Sequence, residues 1–383
     1  MKKKILIITL SDLRYDARVR RQVEALKDTY QLTLAGFSGT ASPQYELVPL
    51  TPTPLTLLRK TIASVFLLAR AYTTAHHILH DYLAVLQKQA GNQKYNLIIA
   101  NDVEALPLAF GLDPDAKVLF DAHEYAPRHF EDKLMWRIFF KNFNVWLCRK
   151  YIPRTAGMTT VGKMLAEEYR KHFGANPVVI VNANNYFDTK PSEMIPGKVR
   201  LVHVGIANPS RRLDLMIDLM DKLDKRFTLD LYLLVPGFAS SKTRNYIQDL
   251  KDRASHNNAI RILPPVESKQ VVRTMNLYDV GVFLLPPINF NYQNTLPNKL
   301  FDFIQGRLAI AIGPTPEMAE IVATYQNGVV SKDFSAESLA HALNALSEAE
   351  VAEMKKRSAA AALDYNAEKN AIRMQELVAS LIN

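Results

Sequence analysis

Twice along its 383 residues, this chain sets short apolar, β-favouring runs against helix-length amphipathic segments, and that repeated alternation constrains the fold more than any other feature. Runs at 4–10, 31–36, 96–101, 117–121, 158–161 and 178–181 are short and mostly apolar, as strands buried on both faces of a parallel sheet are. Amphipathic stretches such as 18–27 and 163–172 lie between them, giving the βαβ pattern of a doubly wound sheet. Over residues 185–198, NYFDTKPSEMIPGK, two prolines and a glycine remove the periodicity. The alternation then restarts at 200–204, 228–235, 260–263, 280–285, 308–312 and 328–331.

These patterns predict an α/β protein of two Rossmann-like doubly wound parallel-sheet domains facing a central cleft. The N-terminal domain spans 1–187, a linker 188–198, and the C-terminal domain 199–350. A helical tail, 351–383, either packs on the second domain or crosses back to the first. Ligands of open α/β sheets bind at the carboxyl ends of the strands, so functional residues are sought there.

Composition narrows the function classes. Cys148 is the only cysteine, which rules out an intrachain disulfide and a cysteine-rich metal cluster and suits a reducing cytosol. The start, MKKKILIITL, meets Asp12, Arg14 and Asp16 after a short apolar run and reads as a first strand rather than a leader. The apolar stretch 62–69, bracketed by Arg59, Lys60 and Arg70, is far short of the roughly 20 residues of a bilayer span. Net charge is +9, and residues 1–190 hold 25 basic against 17 acidic side chains while 191–383 hold 22 against 21. An excess confined to one half fits nucleic acid, an anionic membrane or an acidic ligand. No nucleic-acid reading motif accompanies it, so no nucleic-acid partner is expected.

The densest chemical signal is 291–320, NYQNTLPNKLFDFIQGRLAIAIGPTPEMAE. It reads as a loop, a helix with Pro297 at its first position, a strand, and a Gly-Pro turn into another helix. Unpaired amides at such a helix start hold phosphate oxygens, and Lys299 adds a fixed positive charge. Farther upstream, Gly205 ends a strand and Arg211 and Arg212 follow; either arginine suits bidentate oxygen recognition. In the first domain, strand 117–121 runs into DAHEYAPRHFED and places Asp121, His123 and Glu124 at a strand end. Asp102 ends the preceding strand, and Asp16 and Arg18 open the first helix. That first turn lacks the glycine-rich loop a dinucleotide needs, which argues against NAD or FAD.

In Pro297, Asn298, Lys299, Phe301, Asp302 and Gly306 the chain resembles the GT-B glycosyltransferases, in particular the family 4-like, group 1 branch. The resemblance implies a transferase whose second domain binds a nucleotide diphosphate sugar, with Gly205, Arg211, Arg212, Asn294, Pro297, Asn298, Lys299 and Asp302 as donor-binding residues. Members carry two acidic residues eight apart for the sugar and the ribose. Here those positions hold Asn294 and Asp302, an amide that also donates and a shortened carboxylate. The family's DxHE histidine corresponds to His123, which is expected to bond the donor sugar and stabilise charge as the glycosidic bond breaks. Glu124 is the rival actor, as a base toward the acceptor if configuration inverts; the resemblance implies retention. Asp16, Arg18 and Asp102 either border the acceptor or form ordinary surface contacts.

The expected donor is UDP-linked, and the expected acceptor a glycan or lipid-linked molecule of surface polysaccharide assembly. Basic groups neutralise the leaving diphosphate in this reading, so no cofactor and no metal are expected. A sugar-nucleotide epimerase of the same architecture and a non-catalytic accessory subunit are the alternatives. Residues 133–154 mix Trp136, Phe139, Phe140, Phe143 and Trp146 with basic residues, and 55–86 carries a stripe of Leu55, Leu58, Ile62, Val65, Ala69 and Tyr72. Each segment either fills the core or meets an anionic membrane, in which case a cytoplasmic protein rests on its inner face.

Overall fold

The computed structural model describes residues 2–235, 237 and 239–382. Two compact units are present. Unit one takes in the chain up to Val181, Asn289–Asn291 and the residues from Asn370 onward; unit two comprises Asn182–Ile288 and Tyr292–Lys369. Residues 182–187 therefore group with the second unit, and the helical tail is divided between the two rather than forming a piece of its own.

Unit one is a parallel sheet in the order β3-β2-β1-β4-β5-β6-β7, with β1 Lys4–Asp12, β2 Gln31–Phe37, β3 Glu46–Leu50, β4 Leu97–Asn101, β5 Val118–Ala122, β6 Gly157–Thr160 and β7 Val178–Val179. Every residue of β4 and β5 is buried, the burial that continuous apolar runs predict. Unit two is a parallel sheet in the order β10-β9-β8-β11-β12-β13, with β8 Val199–Ile206, β9 Phe227–Leu234, β10 Ile260–Leu263, β11 Val280–Phe283, β12 Ala309–Ile312 and β13 Gly328–Val330. In both sheets the first strand lies inside and the chain reverses direction across it, between β1 and β4 and between β8 and β11. Those are the switch points at which such sheets hold ligands.

One strand escaped the sequence reading. β3, ELVPL, contains Pro49, which lowers any strand assignment, but β3 is an edge strand and needs only one ladder partner, β2. The segment 55–86 is three helices rather than one: Leu57–Leu68, Tyr72–Leu79 and Leu83–Ala90. Arg70 takes φ 58° between the first two, so Tyr72 is buried while Leu58 and Val65, counted in the same stripe, are exposed.

The tail has a capped start and an equally definite break. Ser347 and Glu350 form a capping box for Glu348–Asp364, and Asn366 then caps Ala367–Ile382 by accepting from the Lys369 amide at 2.8 Å. Met374, Val378 and Ile382 join the cluster of Val19, Val23 and Leu26. Asn370 Nδ2 and Gln375 Nε2 each donate at 2.7 Å, to the carbonyls of Val181 and Ala25. In unit two, Lys355 Nζ is 2.7 Å from the fully buried Asp279, which Arg200 also pairs at 2.9 Å. Burial opposes the Asp279 charge, but the bonds from Arg200 and Lys355 prevail and hold its carboxyl below the usual range.

Candidate active site

In unit one, the carboxyl ends of β1, β4 and β5 carry a charge cluster built around Arg18. Asp16 caps the helix Ala17–Leu26 by accepting from the amides of Arg18 and Val19 at 3.1 Å, and its other oxygen takes Ser11 Oγ at 2.5 Å. Both of its oxygens thus serve the turn itself. Arg18 forks onto Asp102 at 3.0 and 2.8 Å, with Asp121 at 3.8 Å. Asp102 sits at φ 66° and ψ 158°, a positive-φ extended conformation that costs a non-glycine residue about 1–3 kcal/mol and turns its carboxylate toward Arg18. Against the cost of burial, the guanidinium holds Asp102 below the ordinary carboxylate range.

Asp121 is spoken for. It accepts from Thr159 Oγ1 and from Gln22 Nε2, each at 2.6 Å, while Gln22 exchanges bonds with Asn101 at 2.9 and 3.1 Å. Burial pushes its carboxyl up in spite of Arg18. The residue therefore ties three strand ends together rather than presenting a charge.

Beyond β5, His123 and Glu124 line a cavity of about 140 Å³ with Asp102, Glu104 and His129 on its walls. Glu124 Oε2 lies 2.5 Å from His129 Nε2, so the carboxylate expected as the rival base is half of a pair. Burial works against the His129 charge, but the bond from Glu124 outweighs it and raises the imidazole above its ordinary value. Glu104 is pushed up by burial and by its neighbours Asp102 and Glu124. His129 was not picked out in the sequence; four residues separate it from Glu124, three of them the short helical turn Ala126–Arg128, a spacing with no recognisable signature.

Unit two gathers a different set. Gly205 is the penultimate residue of β8, and a Cβ built there would come within 2.9 Å of Lys299 Nζ and 3.5 Å of both Arg211 and His203. The glycine is what lets those side chains close over the strand end. Lys299 is in the first turn of Asn298–Gln305, buried, with its amine 4.0 Å from the Phe283 ring centroid. Its Nζ donates to His203 Nε2 at 3.2 Å, and His203 Nδ1 bonds the Val282 carbonyl at 3.0 Å. A proton on Nδ1 for that carbonyl leaves Nε2 as the acceptor, so His203 is the neutral tautomer. Burial and then Lys299 push the His203 pKa well down; burial and then Arg211 push down that of Lys299, against a smaller pull from Asp302.

The two arginines separate. Arg212 takes φ 47° and turns back onto Asp214 at 2.8 Å, whereas Arg211 stands by Gly205 and makes no ion pair among the described residues. Pro297 is the residue before the helix, not its first, with ψ 148°; Asn298 follows it at the helix start and is exposed. A proline ring at that point fixes the entry of the chain without needing an amide hydrogen. Asp302, one turn past Lys299, is buried and accepts from Asn184 Nδ2. Asn294 is buried as well, at 4% exposure.

No group of three metal-ligating side chains occurs among the described residues, and no helix among them is long and apolar enough to cross a membrane. Residues 187–369 match the family model Glycosyl transferases group 1. Similar solved structures include sucrose-phosphate synthase from Thermosynechococcus elongatus, at 13% identity and TM-score 0.77 over 99% of both chains. Anabaena HepE in complex with UDP-glucose matches at 15% identity and TM-score 0.67, over 98% of this chain and 99% of that one. An Escherichia coli structure described as trehalose-6-phosphate bound with UDP-2-fluoro glucose matches at 10% identity and TM-score 0.71, over 100% and 99%. No curated protein matches the chain by sequence.

Proposed function

We propose, from the match of residues 187–369 to the group 1 glycosyl transferases, that the chain moves a sugar from a UDP-linked donor to a glycan or lipid-linked acceptor, with retention of configuration. The observation that carries this reading is the meeting of Lys299 and Arg211 over Gly205. A buried amine whose pKa is pushed down by burial and a neighbouring cation is poorly satisfied by the protein alone. A diphosphate supplies the missing negative charge, and the helix start at Asn298 adds amides that favour the same ligand. UDP-sugars in the HepE and E. coli structures support uridine as the base.

In this reading Lys299 and Arg211 neutralise the leaving diphosphate, which lowers the barrier to breaking the glycosidic bond without a metal. Asp302 is proposed to accept from the ribose, with Asn184 as the donor it exchanges. His123 addresses the sugar, and the cavity lined by Asp102, Glu104 and Glu124 receives acceptor hydroxyls, which carboxylates bind as acceptors. The acceptor belongs to surface polysaccharide or glycoconjugate assembly on the inner face of a membrane.

Calorimetry with UDP and GDP tests the donor assignment. Binding of UDP, undiminished by EDTA, is expected. Absence of binding by either nucleotide would remove the transferase reading and leave an accessory subunit, for which the amide at Asn294 is already a departure from the family pattern.

A further inference from the structure

Apolar side chains that do not enter either core are concentrated on two neighbouring helices of unit one. On Leu57–Leu68, Leu57, Leu58, Ile62, Val65 and Leu68 are 38 to 82% exposed, and at 3.6 residues per turn they cover one continuous arc of about 140°. Ala63 and Leu67 occupy the opposite, buried face. Beside this helix packs Leu134–Phe139, where Leu134, Met135 and Ile138 also share one face and are 47 to 63% exposed. None of its six residues is buried.

The aromatic residues of the same region behave otherwise. Phe143 is buried, and Phe139, Phe140 and Trp146 pack against the main cluster of unit one, so they fill the interior and leave the aliphatic face outside. An exposed aliphatic face shared by two neighbouring helices marks a surface that something covers.

Charge identifies the occupant. Residues 47–80 and 133–166, the two stretches that contain these helices, hold ten lysines and arginines and no aspartate or glutamate. Lys60, Arg70, Lys133, Arg137 and Lys141 are exposed at the margins of the apolar faces. Such a surface, aliphatic at its crest and predominantly basic around it, with Asp132 beside Lys133 as an acidic exception, matches an anionic bilayer, where chains enter the acyl boundary and cations meet phosphate headgroups. A protein partner would have to be both apolar and acidic over the same area.

We propose that the helices Leu57–Leu68 and Leu134–Phe139 form a membrane-docking face that seats the protein on anionic lipid. The proposal deepens the acceptor reading above, since an enzyme held at the bilayer meets lipid-linked substrates in two dimensions. Neither helix carries a residue assigned to the donor or acceptor sites. Docking and nucleotide binding can therefore be measured separately.

The test is sedimentation of the full chain with phosphatidylcholine vesicles, with and without phosphatidylglycerol, alongside UDP calorimetry. Binding that needs phosphatidylglycerol and weakens with added salt is expected. The pair Leu58→Ser with Val65→Ser should cut vesicle binding by roughly tenfold, because each loses apolar contact with the acyl boundary. Lys60→Gln with Arg137→Gln should do so by a similar factor. All four substitutions lie on exposed positions and should leave UDP affinity and the circular dichroism spectrum unchanged.

Vesicle binding lost in both pairs while UDP still binds supports the proposal. Absence of vesicle binding in the wild-type chain overturns it, and so does a serine-sensitive dimer that ignores lipid, which would make the face a contact between copies. If UDP fails to bind but vesicles do, the donor reading falls and the docking face stands.

Discussion

The two charged clusters follow opposite rules. In unit one, Arg18 is locked by Asp102 and flanked by Asp121 and Asp16, and further bonds from Gln22 and Thr159 occupy Asp121. In unit two, Lys299 and Arg211 crowd together with a neutral histidine and make no ion pair among the described residues. Satisfied charges rigidify a strand end; like charges left facing one another are costly to the free protein and become favourable only when an anion arrives. The first arrangement is scaffolding for the cavity beside it, and the second is the arrangement on which the donor proposal rests.

The sharpest way to break that contrast is Lys299→Met. Loss of a buried charge-assisted contact should weaken UDP by about 3 kcal/mol, more than a hundredfold, while relief of a strained amine should stabilise the ligand-free protein by about 1 kcal/mol. Calorimetry and thermal melting read the two effects; wild-type affinity in this variant removes Lys299 from the site. A linked proton sharpens the same point. Since the Lys299 pKa is depressed in the free protein and a bound diphosphate raises it, binding should take up protons and weaken as pH rises. Equal binding enthalpies in buffers of different ionisation heat would count against that linkage.

Arg18→Met should act in the reverse sense. Stripping the guanidinium from Asp102 and Asp121 leaves carboxylates without their cation, costing roughly 2–3 kcal/mol of stability, with UDP affinity untouched. Denaturant melts showing no loss would mean that the cluster is not scaffolding. His123→Ala should lower turnover by about tenfold or more through the lost contact to developing charge, again without weakening UDP; an unchanged kcat would take the imidazole out of the reaction. The smallest effect belongs to Arg212→Ala. Its charge is already spent on Asp214, so nucleotide affinity should stay within about 0.5 kcal/mol, and a large loss would reassign the diphosphate contact from Arg211.

Much of the architecture was legible because it is local. Continuous apolar runs placed β1, β2, β4 to β7 and all six strands of unit two, each within a few residues. The proline of β3 hid the remaining strand, since a residue's tolerance there depends on whether the strand has one neighbour or two. Candidate residues at strand ends could likewise be found from the chain alone. What they do there could not: Asp16 and Asp121 lie at the expected strand and helix ends, yet their oxygens are consumed by a helix cap and by Gln22 and Thr159.

The amino-acid sequence alone determined the two doubly wound sheets, the glycine at the end of β8 and the lysine that opens Asn298–Gln305, because strand period, turn residues and helix starts are written within a few positions of one another. Only the tertiary structure decided which arginine stands beside that glycine, that His203, on a strand nearly a hundred residues away, accepts the hydrogen bond of Lys299, that Glu124 is paired with His129, and that aliphatic rather than aromatic side chains of the basic helices face outward. Those outcomes depend on register between distant segments and on a single left-handed residue at Arg212, and no local pattern encodes either.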